Sequence, residues 1–133
     1  MARKYPNRRL LWNMTTTERG RWGETLAVIH LENKNLRSLS RNWRWGRYEL
    51  DLVGRTGNTW VFIEVKVRKR GRVNCAVDAV DGRKRRRIIL AAHQFLRVHD
   101  IEAAHIRFDI VSIEYAADFR RIHHLEDAFF SLP

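Results

Sequence analysis

Cysteine is almost absent: Cys75 stands alone in a chain of 133 residues, which excludes an internal disulfide framework and a thiolate zinc site within one copy. A reducing, cytoplasmic setting suits such a chain. Proline occurs twice and glycine seven times, and no internal repeat or low-complexity segment is present. Long apolar runs are missing too. None approaches the roughly 20 residues of a membrane-spanning helix. The basic start Met1 to Arg9 is followed only by Leu10-Leu11-Trp12, so neither a signal peptide nor a membrane partner is expected. Acids are the last scarcity, with 15 Asp and Glu facing 26 Lys and Arg for a net charge of +11. A polyanion is the expected partner, held through its phosphates and loosened by salt.

What is present suffices for one core. Five Trp, three Tyr and six Phe within a 44% apolar composition argue against disorder, and the length suits a single domain. Residues 1 to 14, basic and interrupted by Pro6, are expected to form a flexible arm ahead of one domain over 15 to 133. Thr15-Thr16-Thr17-Glu18 has the spacing of a capping box, which places a helix from there to about Glu32. Strands are expected over 36 to 45, over Arg47 to Val53 with a turn at Gly54 to Asn58, and over Thr59 to Arg68. A second helix over Gly82 to Val98, capped by Asp81, separates Ile88, Ala92, Phe95 and Leu96 from Arg83, Arg87, Gln94 and Arg97. Ile106 to Ile113 reads as a further strand, Arg120 to His123 as a short edge strand and Glu126 to Leu132 as a terminal helix. That order implies an α/β domain whose mixed central sheet is flanked by helices.

Glu64 and Lys66 lie two apart on an expected strand, so both project from one face. Asp51 joins them across the hairpin only if paired residue numbers sum to an odd number, because an even register turns it to the other face. Tyr48, Leu50 and Leu52 then share one face of their strand, and Glu49, Asp51 and Val53 the other. Two close carboxylates resist joint ionisation unless a cation lies between them, and oxygen ligands suit a hard ion, Mg²⁺ or alternatively Mn²⁺. Such an ion polarises a phosphoryl oxygen and eases deprotonation of water, while Lys66 orients that water or stabilises developing charge. Glu24 supplies a third acid. On the helical wheel it falls with Gly20, Ala27, Val28 and Leu31, a stripe unsuited to solvent, so it approaches the sheet and can ligate the ion directly or through water. Glu49 is a candidate for the edge of the site.

Gly23-Glu24, Arg41-Asn42-Trp43-Arg44, Tyr48-Glu49-Leu50-Asp51-Leu52 and Val61-Phe62-Ile63-Glu64-Val65-Lys66-Val67-Arg68 form a specific series. Ala79-Val80 with Lys84, Ala91-Ala92, Arg107-Phe108-Asp109-Ile110-Val111 and Ala128-Phe129 extend it. Over this span the chain resembles the YraN-like family of uncharacterised bacterial proteins, which is similar to Holliday-junction resolvases in the PD-(D/E)XK nuclease superfamily. The resemblance implies a restriction-endonuclease-like three-layer fold. By it Asp51 matches the family's Asp, Glu64 and Lys66 its E-x-K, and Glu24 the helix-one acid, making these four the catalytic residues and the three acids the metal ligands. It further implies Mg²⁺-dependent hydrolysis of phosphodiester bonds in DNA, with branched or recombination intermediates as substrates, a homodimer as the assembly, and a bacterial cytoplasmic, nucleoid-associated setting. Tyr48 stands where the family usually has Gly, and Val67 replaces a commoner polar residue.

Other features hold two readings. Arg83-Lys84-Arg85-Arg86-Arg87 opens a helix, where the macrodipole disfavours cations, so Arg83, Lys84 and Arg87 read as nucleic-acid phosphate ligands or as part of a solvated charge run. Arg68, Lys69, Arg70 and Arg72 follow the site strand and read as a grip on a nucleic-acid backbone or as a flexible basic loop. Trp43, Trp45 and Trp60 are expected in core or edge packing rather than base stacking. His123 and His124 point apart on a strand, which argues against a transition-metal site, and Asp109 with Arg107 two residues away suggests a structural ion pair or a helix-capping contact rather than catalysis. For function, the alternative is a non-catalytic DNA- or RNA-binding accessory protein of recombination or repair that retains the fold and its acids.

Overall fold

In the computed structural model, which describes residues 14–71, 81–116 and 120–130, both helices start at a side-chain cap. The Thr15 hydroxyl accepts the Glu18 amide at 3.1 Å ahead of α1 (Thr16–Glu32), and the Asp81 carboxylate accepts the Lys84 amide at 2.9 Å ahead of α2 (Gly82–Val98). The strands are β1 (Arg37–Trp45), β2 (Tyr48–Thr56), β3 (Thr59–Lys69), β4 (His105–Tyr115) and β5 (Arg120–Phe129). They form one mixed sheet in the order β1-β2-β3-β4-β5, with β3 and β4 parallel and the other neighbours antiparallel. A parallel pair needs a crossover, and α2 lies in that connection.

Residue parity assigns the two faces. Val61, Ile63, Val111 and Ile113 pack with Trp22, Leu26, Ala27 and Leu31 of α1. Phe62, Phe108 and Ile110 pack with Ile88, Ala91, Ala92, Phe95 and Leu96 of α2. Alternate strand residues thus serve opposite helices, which makes three layers, and each fully buried large apolar side chain contributes about 2 kcal/mol. The tryptophans pack as expected where they are covered: Trp43 meets Phe95 edge-on at 5.3 Å, and Trp60 lies 6.2 Å from the same ring. Among the described residues no helix is long and apolar enough to cross a membrane. Met14 packs against the α1 cluster, while residues 1–13 of the expected arm lie outside the described residues.

Three expectations about the strands are corrected. The turn after β2 is confined to Gly57 and Asn58, and Gly54 lies inside the strand. A Cβ on Gly54 would overlap Leu36 and lie 3.0 Å from the Arg37 carbonyl, so this glycine permits close approach of β1 rather than a turn. Face alternation also fails at Asp51, since Leu50 packs with the α2 cluster and Leu52 with the α1 cluster. The third correction concerns the C-terminus: residues 126 to 129 continue β5 instead of starting a helix. Buried Asp109 explains that continuation. Its carboxylate accepts from the Asp127 amide at 3.0 Å, from His124 Nε2 at 2.8 Å and from Arg107 at 2.9 Å, a set available only if β5 stays alongside β4. These bonds outweigh the burial that would raise its pKa, and hold the Asp109 carboxyl below the usual range. Phe129 adds to the hold by stacking on Phe108 at 5.0 Å.

Helix α1 reaches the sheet at Gly23, where a Cβ would overlap Val67 Cγ2. Valine is stiff at χ1 and has no easy escape. Gly23→Ala is therefore expected to destabilise the protein by about 1–3 kcal/mol despite its better helix propensity. Chemical denaturation checks this, and a Gly23→Ala, Val67→Ala double variant should recover much of the loss.

Candidate active site

The β2–β3 ladder has its last pair at Leu52↔Ile63. Beyond it β2 stays with β1, as in Trp43↔Leu50, while β3 stays with β4 through Lys69↔Tyr115. The sheet therefore forks at Asp51 and Glu64. Paired numbers in this ladder sum to an odd value, the register that lets Asp51 and Glu64 meet. Asn42, which the β1–β2 register sets opposite Asp51, has φ +52°, so β1 is distorted at the same level.

Side chains from both layers enter this fork. A cavity of about 310 Å³ is lined by Thr16, Arg19, Gly20 and Glu24 of α1, by Asp51 of β2, by residues 64–67 of β3 and by Lys84 of α2. Asp51 Oδ2 accepts the Val65 amide at 3.0 Å, satisfying a backbone donor at the fork, and its carboxyl lies close enough to Glu64 to feel its charge. Glu64 is buried; its Oε1 lies 3.4 Å from Lys66 Nζ and 2.6 Å from Lys84 Nζ. Glu24, also buried, accepts from Asn42 Nδ2 at 2.8 Å and lies 4.0 Å from Arg41.

The electrostatics follow from burial and crowding. Burial first, then the charge of Glu64, push the Asp51 carboxyl up to about 7, with the Val65 hydrogen bond opposing them. Lys66 is lowered, mainly by burial and then by neighbouring Lys84. Burial would lower Lys84 as well, but its hydrogen bond to Glu64 prevails and raises it. Asp51 thus lies buried beside a second carboxylate. That is the condition a hard cation relieves, and Mg²⁺ commonly uses one or two carboxylates and completes its shell with water. Among the described residues no three His, Cys, Asp or Glu side chains stand together as a ready ligand set. Asp51 and Glu64 suit the direct role, and Glu24, held by Asn42, suits a contact through water.

The candidates identified in the sequence divide accordingly. Asp51, Glu64, Lys66 and Glu24 line one cavity, and Lys84, read there as a phosphate ligand, turns inward to Glu64. Glu49 does not join them; it is exposed and lies 3.5 Å from Arg44 on β1. Arg83 and Arg87 are exposed, and with Arg86 and Leu90 they line a separate depression on α2. Arg68 is half-buried near the end of β3, Lys69 closes that strand, Arg70 follows it, and Arg72 lies outside the described residues. Thr16 and Arg19 were not anticipated. Thr16 shares the i, i+4, i+8 stripe with Gly20 and Glu24, which a wheel extended by one turn would have revealed; Arg19 reaches the cavity from beside that stripe.

The Asp51 shift predicts a pH dependence. Its carboxyl titrates near 3.8 ordinarily and near about 7 in the fold, so the stability it contributes is full below the lower value and lost as pH rises through the higher. In EDTA, Asp51→Asn should raise the unfolding free energy increasingly from about pH 4 to about pH 7, reaching on the order of 3 kcal/mol. Thermal and urea denaturation across that range measure it, and a pH-independent difference would refute the shift.

The family model described as "Uncharacterised protein family UPF0102" matches residues 23–113, which include Glu24, the fork and Lys84. A UPF0102 protein of Porphyromonas gingivalis is 41% identical over 114 residues, covering 84% of this chain and 84% of its own. One from Pseudomonas fluorescens is 43% identical over 112 residues, 83% of this chain and 91% of its own. Another, from Shewanella putrefaciens, is 43% identical over 110 residues, 83% of this chain and 97% of its own. The chain belongs to the uncharacterised protein family UPF0102.

Proposed function

We propose that this protein is a divalent-cation-dependent nuclease that hydrolyses phosphodiester bonds in DNA, with a fold of the restriction-endonuclease-like kind. The observation that carries the reading is the meeting of Asp51, Glu64 and Lys66 at the fork, where burial and then the charge of Glu64 raise the Asp51 carboxyl to about 7. When bound, Mg²⁺ or Mn²⁺ supplies phosphoryl polarisation and activates water. Asp51 and Glu64 would hold it, with Glu24 in reach through water. Lys66, its ammonium weakened by burial, is set to orient the attacking water and to hold or move its proton. Arg68, Lys69, Arg83 and Arg87 grip the nucleic-acid backbone within a chain of net charge +11. Branched or recombination intermediates are the favoured substrates and a homodimer the favoured assembly, both from the resemblance to resolvases.

A specific observation favours a second reading. Glu64 already carries two ammonium partners, and the described residues present no ready three-ligand set, as would suit an accessory protein that binds nucleic acid without cutting it. Incubating the purified chain with branched, single-stranded and duplex DNA, with Mg²⁺ or Mn²⁺, separates the two. Nuclease action predicts cleavage that falls by at least about a hundredfold in Glu64→Ala and Lys66→Ala. Equal cleavage by all three proteins would mark a contaminant and leave the accessory role.

Both readings require phosphate contacts on α2. Replacing Arg83 and Arg87 by Gln should reduce the slope of log affinity against log salt by about 2 for duplex DNA. Fluorescence anisotropy at several ionic strengths measures that slope, and no change would exclude this face from binding.

A further inference from the structure

Lys84 occupies a position that α2 itself disfavours. It lies in the helix's first turn among arginines, where the positive end of the dipole and like charges oppose an ammonium, and its side chain retains only 35% exposure. Glu64 is what holds it there. The Lys84 Nζ to Glu64 Oε1 distance is 2.6 Å, and Lys66 Nζ lies 3.4 Å from the same oxygen. That oxygen belongs to the carboxylate a divalent cation would need.

We infer that Lys84 is an exchangeable counter-ion: a divalent cation displaces it from Glu64, and a phosphate of the substrate takes up the displaced ammonium. The inference rests on the nuclease reading and adds a form of regulation to it. In the cavity the cations Arg19, Lys66 and Lys84 match the acids Glu24, Asp51 and Glu64 one for one. A dication entering alone makes the cavity strongly positive, and an anion restores the balance. Once released, Lys84 is left beside Lys66 and among the α2 arginines, and a phosphate offers it a partner of opposite charge. Cation and phosphate therefore bind better together than apart, and linkage requires each to aid the other equally. The site holds its ion weakly when idle and firmly on nucleic acid.

Calorimetric titration of the full chain with Mg²⁺, alone and saturated with thymidine 5′-monophosphate, tests this for wild type, Lys84→Met and Lys84→Arg. Lys84→Met is expected to bind Mg²⁺ alone about tenfold more tightly than wild type, while the nucleotide tightens Mg²⁺ about tenfold for wild type and far less for the variant. Lys84→Arg, which keeps the charge, should retain most of the nucleotide's effect and guards against a folding defect. Equal Mg²⁺ affinities in wild type and Lys84→Met, with and without nucleotide, would overturn the inference and leave the metal-site reading intact. No Mg²⁺ binding by any of the three proteins in either condition would overturn both.

Discussion

Where β2 and β3 part after Leu52 and Ile63, two backbone edges lose their ladder partners inside a covered sheet, and such groups must be satisfied or solvated. The Asp51 carboxylate takes the Val65 amide, so one side chain closes the fork and faces Glu64 at the same time. The opening between the strands also lets α1 and α2, which cover opposite faces, send Glu24 and Lys84 into one cavity. An intact ladder would have separated them by the thickness of the sheet.

Charge crowding follows from that geometry. Three acids and three cations line a space of about 310 Å³, where burial amplifies every interaction. The acids are not equivalent within it. Glu24 is held by Asn42, Glu64 by two lysines, and Asp51 alone is left with a carboxylate neighbour and a single backbone donor. Asp109 shows the contrast on the same sheet. Also buried, it collects donors from Arg107, His124 and Asp127, and its carboxyl is held low instead of high. Number of donors, not burial, separates a structural acid from a poised one in this protein.

Much of the fold was legible in advance. The caps at Thr15 and Asp81, the apolar stripe of α2 and the β3 run are local patterns, and local patterns survive folding when the core needs them. The misreadings were tertiary. Gly54 looked like a turn residue because its use, admitting Leu36 from β1, lies on another strand. Residues 126 to 129 had a helical composition, yet Asp109 and Phe108 on β4 required β5 to continue. Glu49 shared a strand face with Asp51 by simple alternation, but β2 leaves regular alternation at the fork and Glu49 lies beside Arg44.

The amino-acid sequence by itself determined the α/β class and the positive charge and marked Glu24, Asp51, Glu64 and Lys66 as candidates, with the position of Asp51 conditional on the hairpin register, because periodicity, composition and spacing are properties of the chain alone. Only the tertiary structure decided that Lys84 bears on Glu64 rather than solvent, that Asn42 holds Glu24, and that the strands separate where the acids lie. Those outcomes depend on distances between elements far apart along the chain, which are set by how two helices and a forked sheet pack together and not by any short stretch of residues.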